Sequence, residues 1–166
     1  MNYEVVFEFL IIYAPAFIAN AIPVLIKGTY PIDLGRKFID GRRILGDGKT
    51  FEGLVNGLIA GFYTSVTLYV VFDMLNLIVL GTISSLGALL GDMFGAFIKR
   101  RLSIPKGEPA PLLDQVDFVV GATIMLMITG YVVQPLTFIL AVITSVVLHV
   151  VTNRIAYILG LKEVPW

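Results

Sequence analysis

The chain has 166 residues, 57% of them hydrophobic and 14% charged, with Lys+Arg 12 and Asp+Glu 12 giving a formal net charge of zero; the mean hydropathy is +0.90. Soluble domains run at about 45–50% apolar and about 25% charged, so the composition points to a membrane and excludes a disordered chain and a basic nucleic-acid binder. The absence of cysteine excludes a disulfide scaffold, thiol chemistry and Cys-ligated zinc.

A membrane-spanning helix needs about 20 mostly apolar residues. The first such run is 5–26, interrupted by Pro15 and Pro23, which should kink it. It lacks a basic n-region and is too long for a signal peptide, so it reads as a span. Glu8, near its outer end, reads as an interfacial carboxylate. The loop 27–53 follows, with Lys27, Arg36, Lys37, Arg42, Arg43 and Lys49. Its Gly48-Lys49-Thr50 suggests a phosphate-binding P-loop, but that motif requires glycine where Arg43 stands and a strand before it. The acidic spacing does not match an EF-hand either. The loop still offers glycines for close backbone approach and cations for an anionic headgroup or triphosphate.

The second span is 54–72 and the third 75–98, joined by a short turn at Asp73-Met74. Gly53, Gly57 and Gly61 recur at four-residue spacing in the second, and Gly87, Gly91 and Gly95 in the third. Such ladders let helix backbones approach closely, although glycine is also simply frequent in membrane helices. Asp92 lies in the third span, seven residues before Lys99 and so about 10 Å below the end of its helix at 1.5 Å per residue. The loop 99–117 carries Lys99, Arg100, Arg101 and Lys106, and Pro111 reads as the first residue of the fourth helix. The fourth span is 118–133 and the fifth 136–152, with a turn at Gln134-Pro135. His149, alone in the fifth span, reads as a structural hydrogen-bonded histidine, and 153–161 as a helical extension near the cytoplasmic surface.

The expected fold is therefore an all-α integral membrane protein of five transmembrane helices, a single membrane domain over 1–166. The odd span count and the absence of an internal repeat argue against two inverted halves. With five spans all twelve Lys and Arg fall on one side, in the loop after the first span, the loop after the third, and at Arg154 and Lys162. The positive-inside rule makes that side cytoplasmic, with the N-terminus outside and the C-terminus cytoplasmic in the cell membrane.

An ionisable residue inside a membrane helix is a functional candidate. On a helix beginning at Pro111, Asp114 and Asp117 share a face with i, i+3 spacing. Together with Asp92 they can converge just inside the cytoplasmic interface, with Lys99, Arg100 and Lys106 beside them. Three carboxylates at a wet interface suit a hard cation such as Mg2+, and the flanking cations suit phosphate oxygens bridged by it. Taken singly, Asp114 or Asp117 could equally serve the helix dipole, and the basic run 99–101 could be an ordinary membrane anchor. An alternative of a different class is a small ion- or proton-coupled transporter using Asp92. It would need acidic groups deeper toward the outer side, and the outer halves of spans two to five offer only Asn76, Thr82, Ser84, Ser85 and similar hydroxyls.

Gly91-Asp92, Phe97-Ile98-Lys99-Arg100-Arg101, Lys106-Gly107 and Pro111-Leu112-Leu113-Asp114-Gln115-Val116-Asp117, with Gly41-Arg42-Arg43 and Leu45-Gly46-Asp47-Gly48-Lys49-Thr50, resemble the CDP-archaeol synthase family, archaeal relatives of bacterial phosphatidate cytidylyltransferases. The bacterial enzymes carry Ser where this chain has Ala96, and Asp-Arg-x-Asp where it has Asp114-Gln115-Val116-Asp117. The resemblance implies transfer of CMP from CTP to 2,3-digeranylgeranylglycerol 1-phosphate, giving CDP-archaeol and pyrophosphate. It implies Asp92, Asp114, Asp117 and Lys99 as the catalytic group, with the three aspartates holding Mg2+ and a second cation left open. Lys99, Arg100 and Lys106 would cradle the triphosphate, and Arg42, Arg43 and Lys49 the lipid phosphate or CTP. The lipid tails would lie in a groove between spans.

Overall fold

A computed structural model describes residues 3–26, 28–105, 107–158 and 160. It contains α1 (Tyr3–Leu25), α2 (Phe51–Phe72), α3 (Asn76–Arg101), α4 (Leu113–Ile128) and α5 (Pro135–Ile158). Four of these, all but α4, are long and apolar enough to cross a membrane. The order of the helices matches expectation and four of the five have the expected span character; the boundaries shift, most at α4.

That helix starts at Leu113, two residues after the expected first residue Pro111 and five before the expected span. The Asp114 carboxylate accepts from Ala110 N at 2.9 Å, and Gln115 Oε1 accepts from Leu112 N at 3.3 Å. These bonds satisfy donors that a helix start leaves open. At its other end Thr129 Oγ1 turns back to Leu126 O at 2.8 Å and Gly130 takes φ 87°, so the helix stops at Ile128 rather than running to Val133. At 16 residues α4 is about 24 Å long, against a hydrocarbon core of about 30 Å. α2 begins at Phe51 because Thr50 caps it, its Oγ1 accepting from Gly53 N at 3.2 Å. α1 is one element through Pro15 and Pro23.

α3 is the hub, packing on α1, α2 and α4, while α5 touches α4 and α1. The core joins Ile12, Tyr13 and Ala16 of α1 to Leu77 and Ala88 of α3 and to Val119, Ala122 and Leu126 of α4. Hydroxyls tie the helices where lipid could not: Tyr13 Oη and Thr123 Oγ1 lie 2.6 Å apart, and Ser84 Oγ donates to Ile12 O at 2.5 Å.

The glycine ladders are packing devices. Gly87 and Gly91 of α3 meet Gly121 of α4 backbone to backbone; a Cβ on Gly91 would stand 2.9 Å from Gly121 Cα. Only helices without side chains there can come so close. Glu8 departs from expectation: it is 7% exposed, and its carboxylate accepts from Tyr131 Oη at 3.1 Å, from Gln134 N at 3.4 Å and from Thr137 Oγ1. Three donors from the α4–α5 turn and α5 compensate its burial. His149 does lie within hydrogen-bonding distance of Asn153, Nδ1 to Nδ2 3.2 Å.

Candidate active site

The α1–α2 connection folds over the ends of α3 and α4 and closes one end of the bundle. Two isolated antiparallel bridges, Pro31 to Thr50 and Lys37 to Arg43, bring its limbs together. Its organiser is Asp33, whose side chain is 1% exposed and paired with Arg43 NH2 at 2.6 Å. Asp33 also accepts from Gly35 N at 3.1 Å and from Leu45 N and Gly46 N, each at 2.9 Å. Burial opposes its charge, but the Arg43 guanidinium and the three backbone N–H groups outweigh that and hold the carboxyl well below the ordinary carboxylate range. Arg101 anchors the loop from α3, with its guanidinium 4.8 Å from the ring centroids of both Phe38 and Phe97 and NH2 donating to Arg43 O at 2.6 Å.

Under this loop lies a cleft of about 160 Å3. Its walls bring together Asp92 from α3, Asp114 and Asp117 from α4, Lys49 from the loop, and Lys99 and Arg100 from the end of α3. Gly46, Gly48 and Gly107 also line it, as does Ala96. Lys49 Nζ meets Asp92 Oδ2 at 2.5 Å. Lys99 Nζ lies 2.9 and 3.0 Å from the two oxygens of Asp114 and donates to Glu108 O at 2.8 Å. Although Asp92 and Lys99 are two turns apart on one helix, Lys99 turns to α4 and the loop lysine takes Asp92. Asp117 Oδ1 accepts from Phe118 N at 2.7 Å, while Oδ2 faces Gly95, where a side chain would intrude. The Nε of Arg100 is buried and has no hydrogen-bond partner among the described residues.

Among the described residues no three carboxylates or histidines are gathered closely enough to form a metal group. Two of the three aspartates instead hold ammonium groups, each supplying positive charge to its carboxylate. Asp92, Asp114 and Asp117 are nonetheless hard oxygen donors of the kind Mg2+ takes, lining one cleft.

Arg42 and Arg43 are not in this cleft. They line an adjoining pocket that shares Gly46, Asp47 and Arg100 with it. Arg43 is taken by Asp33 and by Asp47 at 2.7 Å, and Arg42 NH1 donates to Arg101 O at 2.5 Å. Lys106, like Lys27 and Lys162, lies outside the described residues. Asp33 was not among the residues singled out by sequence; its signal is Asp33-Leu34-Gly35, an aspartate with a glycine two positions on, the pattern of an Asx turn.

The whole chain matches one family. Residues 2–166 fit the CarS-like family model, described as CDP-archaeol synthase. A CDP-archaeol synthase from Aeropyrum pernix is 47% identical over 97% of this chain and 92% of its own length. One from Methanocaldococcus jannaschii is 39% identical, with both chains covered in full. A solved structure of an intramembrane enzyme for archaeal membrane lipids biosynthesis superposes with a TM-score of 0.82 at 45% identity, covering 87% of this chain and 91% of that one.

Proposed function

The chain belongs to the CDP-archaeol synthase family, and we propose that it moves CMP from CTP to 2,3-digeranylgeranylglycerol 1-phosphate at the cleft of Asp92, Asp114 and Asp117. The protein is a multi-helix membrane enzyme, a CTP-dependent cytidylyltransferase that acts on a lipid phosphate in archaeal lipid synthesis. The observation that carries the assignment to this cleft is the meeting of three carboxylates with Lys49, Lys99 and Arg100 in one cavity.

The lipid phosphate is already an anion, so the reaction requires no general base. One of its oxygens attacks the α-phosphorus of CTP, the bond from that phosphorus to the oxygen bridging to the β-phosphorus breaks, and pyrophosphate leaves. The difficulty is bringing two anions together and holding charge on the leaving group. Lys49 and Lys99, fixed by Asp92 and Asp114, direct ammonium groups into the cleft. With Arg100, whose Nε lacks a partner among the described residues, and with Lys106 they hold the triphosphate. A positioned donor of this kind is worth about 10²–10³ in rate. Arg42 and Arg43 serve from the adjoining pocket, and Arg43 acts through Asp33 as a positioning residue for the Leu45–Gly48 wall.

Asp92, Asp114 and Asp117 would hold Mg2+, alone or with a second cation. An ion held there would supply positive charge against the triphosphate and the departing pyrophosphate. With α4 counted as a short fifth crossing, the positive-inside rule favours an N-terminus outside and a cleft on the cytoplasmic side, where CTP is available. The transporter alternative has no support: Asp92 opens into a cleft at the loop end, and Glu8 is closed in by Tyr131, Gln134 and Thr137.

The test is purified protein with CTP labelled at the α- or the γ-phosphate, Mg2+ and the lipid phosphate. The α-label should enter the lipid extract, the γ-label should appear in pyrophosphate, and chelator should stop both. Release of inorganic phosphate without CDP-lipid, or full turnover in chelator, would overturn the proposal.

A further inference from the structure

Within the α1–α2 connection, residues 36–44 form a small hairpin. Phe38 N donates to Arg42 O at 2.7 Å, Ile44 N donates to Arg36 O at 3.1 Å, and Gly41 N closes the turn on Phe38 O at 2.9 Å, with Gly41 at φ 78°. The turn carries Ile39, 94% exposed, at a position where polar residues are usual. Arg36 and Lys37 beside it are exposed too. Asp40 is held by Arg101 Nε at 3.3 Å and by Arg42 NH1 at 4.0 Å, whereas Arg36 and Lys37 enter no ion pair among the described residues. The fold thus leaves an apolar tip flanked by two uncompensated cations.

Aromatic contacts fix where this hairpin stands. Phe38 meets Phe97 of α3 edge-on with centroids 5.3 Å apart, and Phe97 stacks on Phe94 at 6.4 Å. Phe94 is 64% exposed and lies seven residues before the end of α3 at Arg101, so about 10 Å below that end, on an outer face that in a membrane meets hydrocarbon. The row Phe94, Phe97, Phe38 climbs from the lipid-facing side of α3 to the hairpin, which therefore stands over the rim of the bundle.

We propose that the hairpin docks on the anionic headgroup layer of the adjoining leaflet, with Ile39 entering the layer and Arg36 and Lys37 meeting its charge, and that this seating holds the loop over the catalytic cleft. An apolar tip among cations matches a surface that is anionic at the top and apolar beneath. The connection to the cleft is continuous. Phe38 carries the Arg101 guanidinium, Arg101 NH2 donates to Arg43 O, Arg43 pairs with Asp33, and Asp33 holds Gly46 N in the cleft wall. The docking goes beyond the proposed function; its effect on CTP rests on that function.

Trp166 is the only tryptophan of the sequence, so Ile39→Trp in a Trp166→Phe background reports the tip alone. In vesicles of equal parts phosphatidylglycerol and phosphatidylcholine its emission should shift to the blue and be quenched by lipids with brominated chains, and both effects should weaken in phosphatidylcholine alone. A cation near an anionic surface favours seating about fivefold, so adding Arg36→Gln and Lys37→Gln should lower the ratio of seated to free tip about 25-fold. At equal mole fractions of lipid phosphate, wild-type kcat/KM for CTP should be about fivefold or more higher in the mixture than in phosphatidylcholine alone. In the protein with Arg36→Gln and Lys37→Gln the two bilayers should agree within about twofold. The sign is diagnostic, because an anionic surface by itself repels CTP and would lower kcat/KM.

Quenching equal in the two bilayers, or wild-type CTP kinetics indifferent to their composition, would each overturn the inference. So would blue-shifted emission that brominated chains do not quench, which would place the tip against protein, such as a second copy of this chain. If the wild type forms no CDP-lipid in either bilayer, it is the proposed function that fails, whereas the quenching still reports the docking.

Discussion

Gly95 offers a sharp separation of stability from catalysis. It lies on α3 opposite Asp117, and a Cβ added there would stand 2.9 Å from Asp117 Cγ and nearer still to Oδ2. Carbon atoms in contact prefer about 3.5–4.0 Å, so Gly95→Ala must displace the carboxylate carbon by about 0.6–1.1 Å and its nearer oxygen by more. The carboxylate can make that movement only by giving up the 2.7 Å bond from Phe118 N or by pushing α4 away from α3. In isolation the same substitution favours the helix by about 0.8–1.0 kcal/mol. Misplacement of a catalytic group by about 1 Å costs about a hundredfold in rate. Gly95→Ala should thus fold with a thermal midpoint close to wild type while CDP-lipid formation falls about a hundredfold. The assay is initial rate at saturating CTP and lipid phosphate, beside a thermal melt in the same detergent. A folded Gly95→Ala with turnover within about threefold of wild type would refute the reasoning, because the position of Asp117 would then not govern the reaction.

Asp33→Asn places an amide NH2 against groups that already donate and removes one partner of Arg43, which is 27% exposed and keeps Asp47, a change worth about 1–3 kcal/mol. The Leu45–Gly46 wall should loosen, seen as faster amide exchange over 30–49 and weaker CTP binding, with the helices still formed. The same carboxyl sets an acid limit. Its folded pKa lies below the unfolded value of about 3.9, so its stabilisation is present above that value and is lost as pH falls through the folded pKa. Loop protection should be level from pH 7 to about 5 and decline only below about 4 in the wild type, and Asp33→Asn should remove that decline. Glu8→Gln should lower the thermal midpoint through loss of about 1–2 kcal/mol of charge-assisted hydrogen bonding. Its initial rate should match wild type, because Glu8 is at the end of the bundle away from the cleft; a lost rate in a folded Glu8→Gln would contradict that separation.

The helices and the three aspartates were legible in sequence for different reasons. Apolar runs long enough to span leave few alternatives, and charge gathered at their ends fixes which loops share a side. Asp92 stood out because a carboxylate inside such a run is costly. What periodicity could not supply was pairing across distance. Nothing local ties Lys49 to Asp92, 43 positions on, or turns Lys99, on the same helix as Asp92, to Asp114. Arg43 looked like a substrate ligand because a basic loop carries no mark of which cations are already paired, and its partner Asp33 is ten residues upstream. Glu8 looked interfacial because the donors that let it be buried come from Tyr131, Gln134 and Thr137, more than a hundred positions later. The end of α4 was misplaced by an apolar stretch, 129–133, that Gly130 and Thr129 turn into a loop.

The central claim, that the cleft of Asp92, Asp114 and Asp117 carries cytidylyl transfer, is tested most directly by one measurement. It is the initial rate of CDP-lipid formation by Asp117→Asn in protein that retains the wild-type helicity and thermal midpoint. The account predicts a loss of about a thousandfold or more, because neutralising that carboxylate removes a cation ligand and leaves the triphosphate charge uncompensated. A folded Asp117→Asn working within about tenfold of wild type would contradict it.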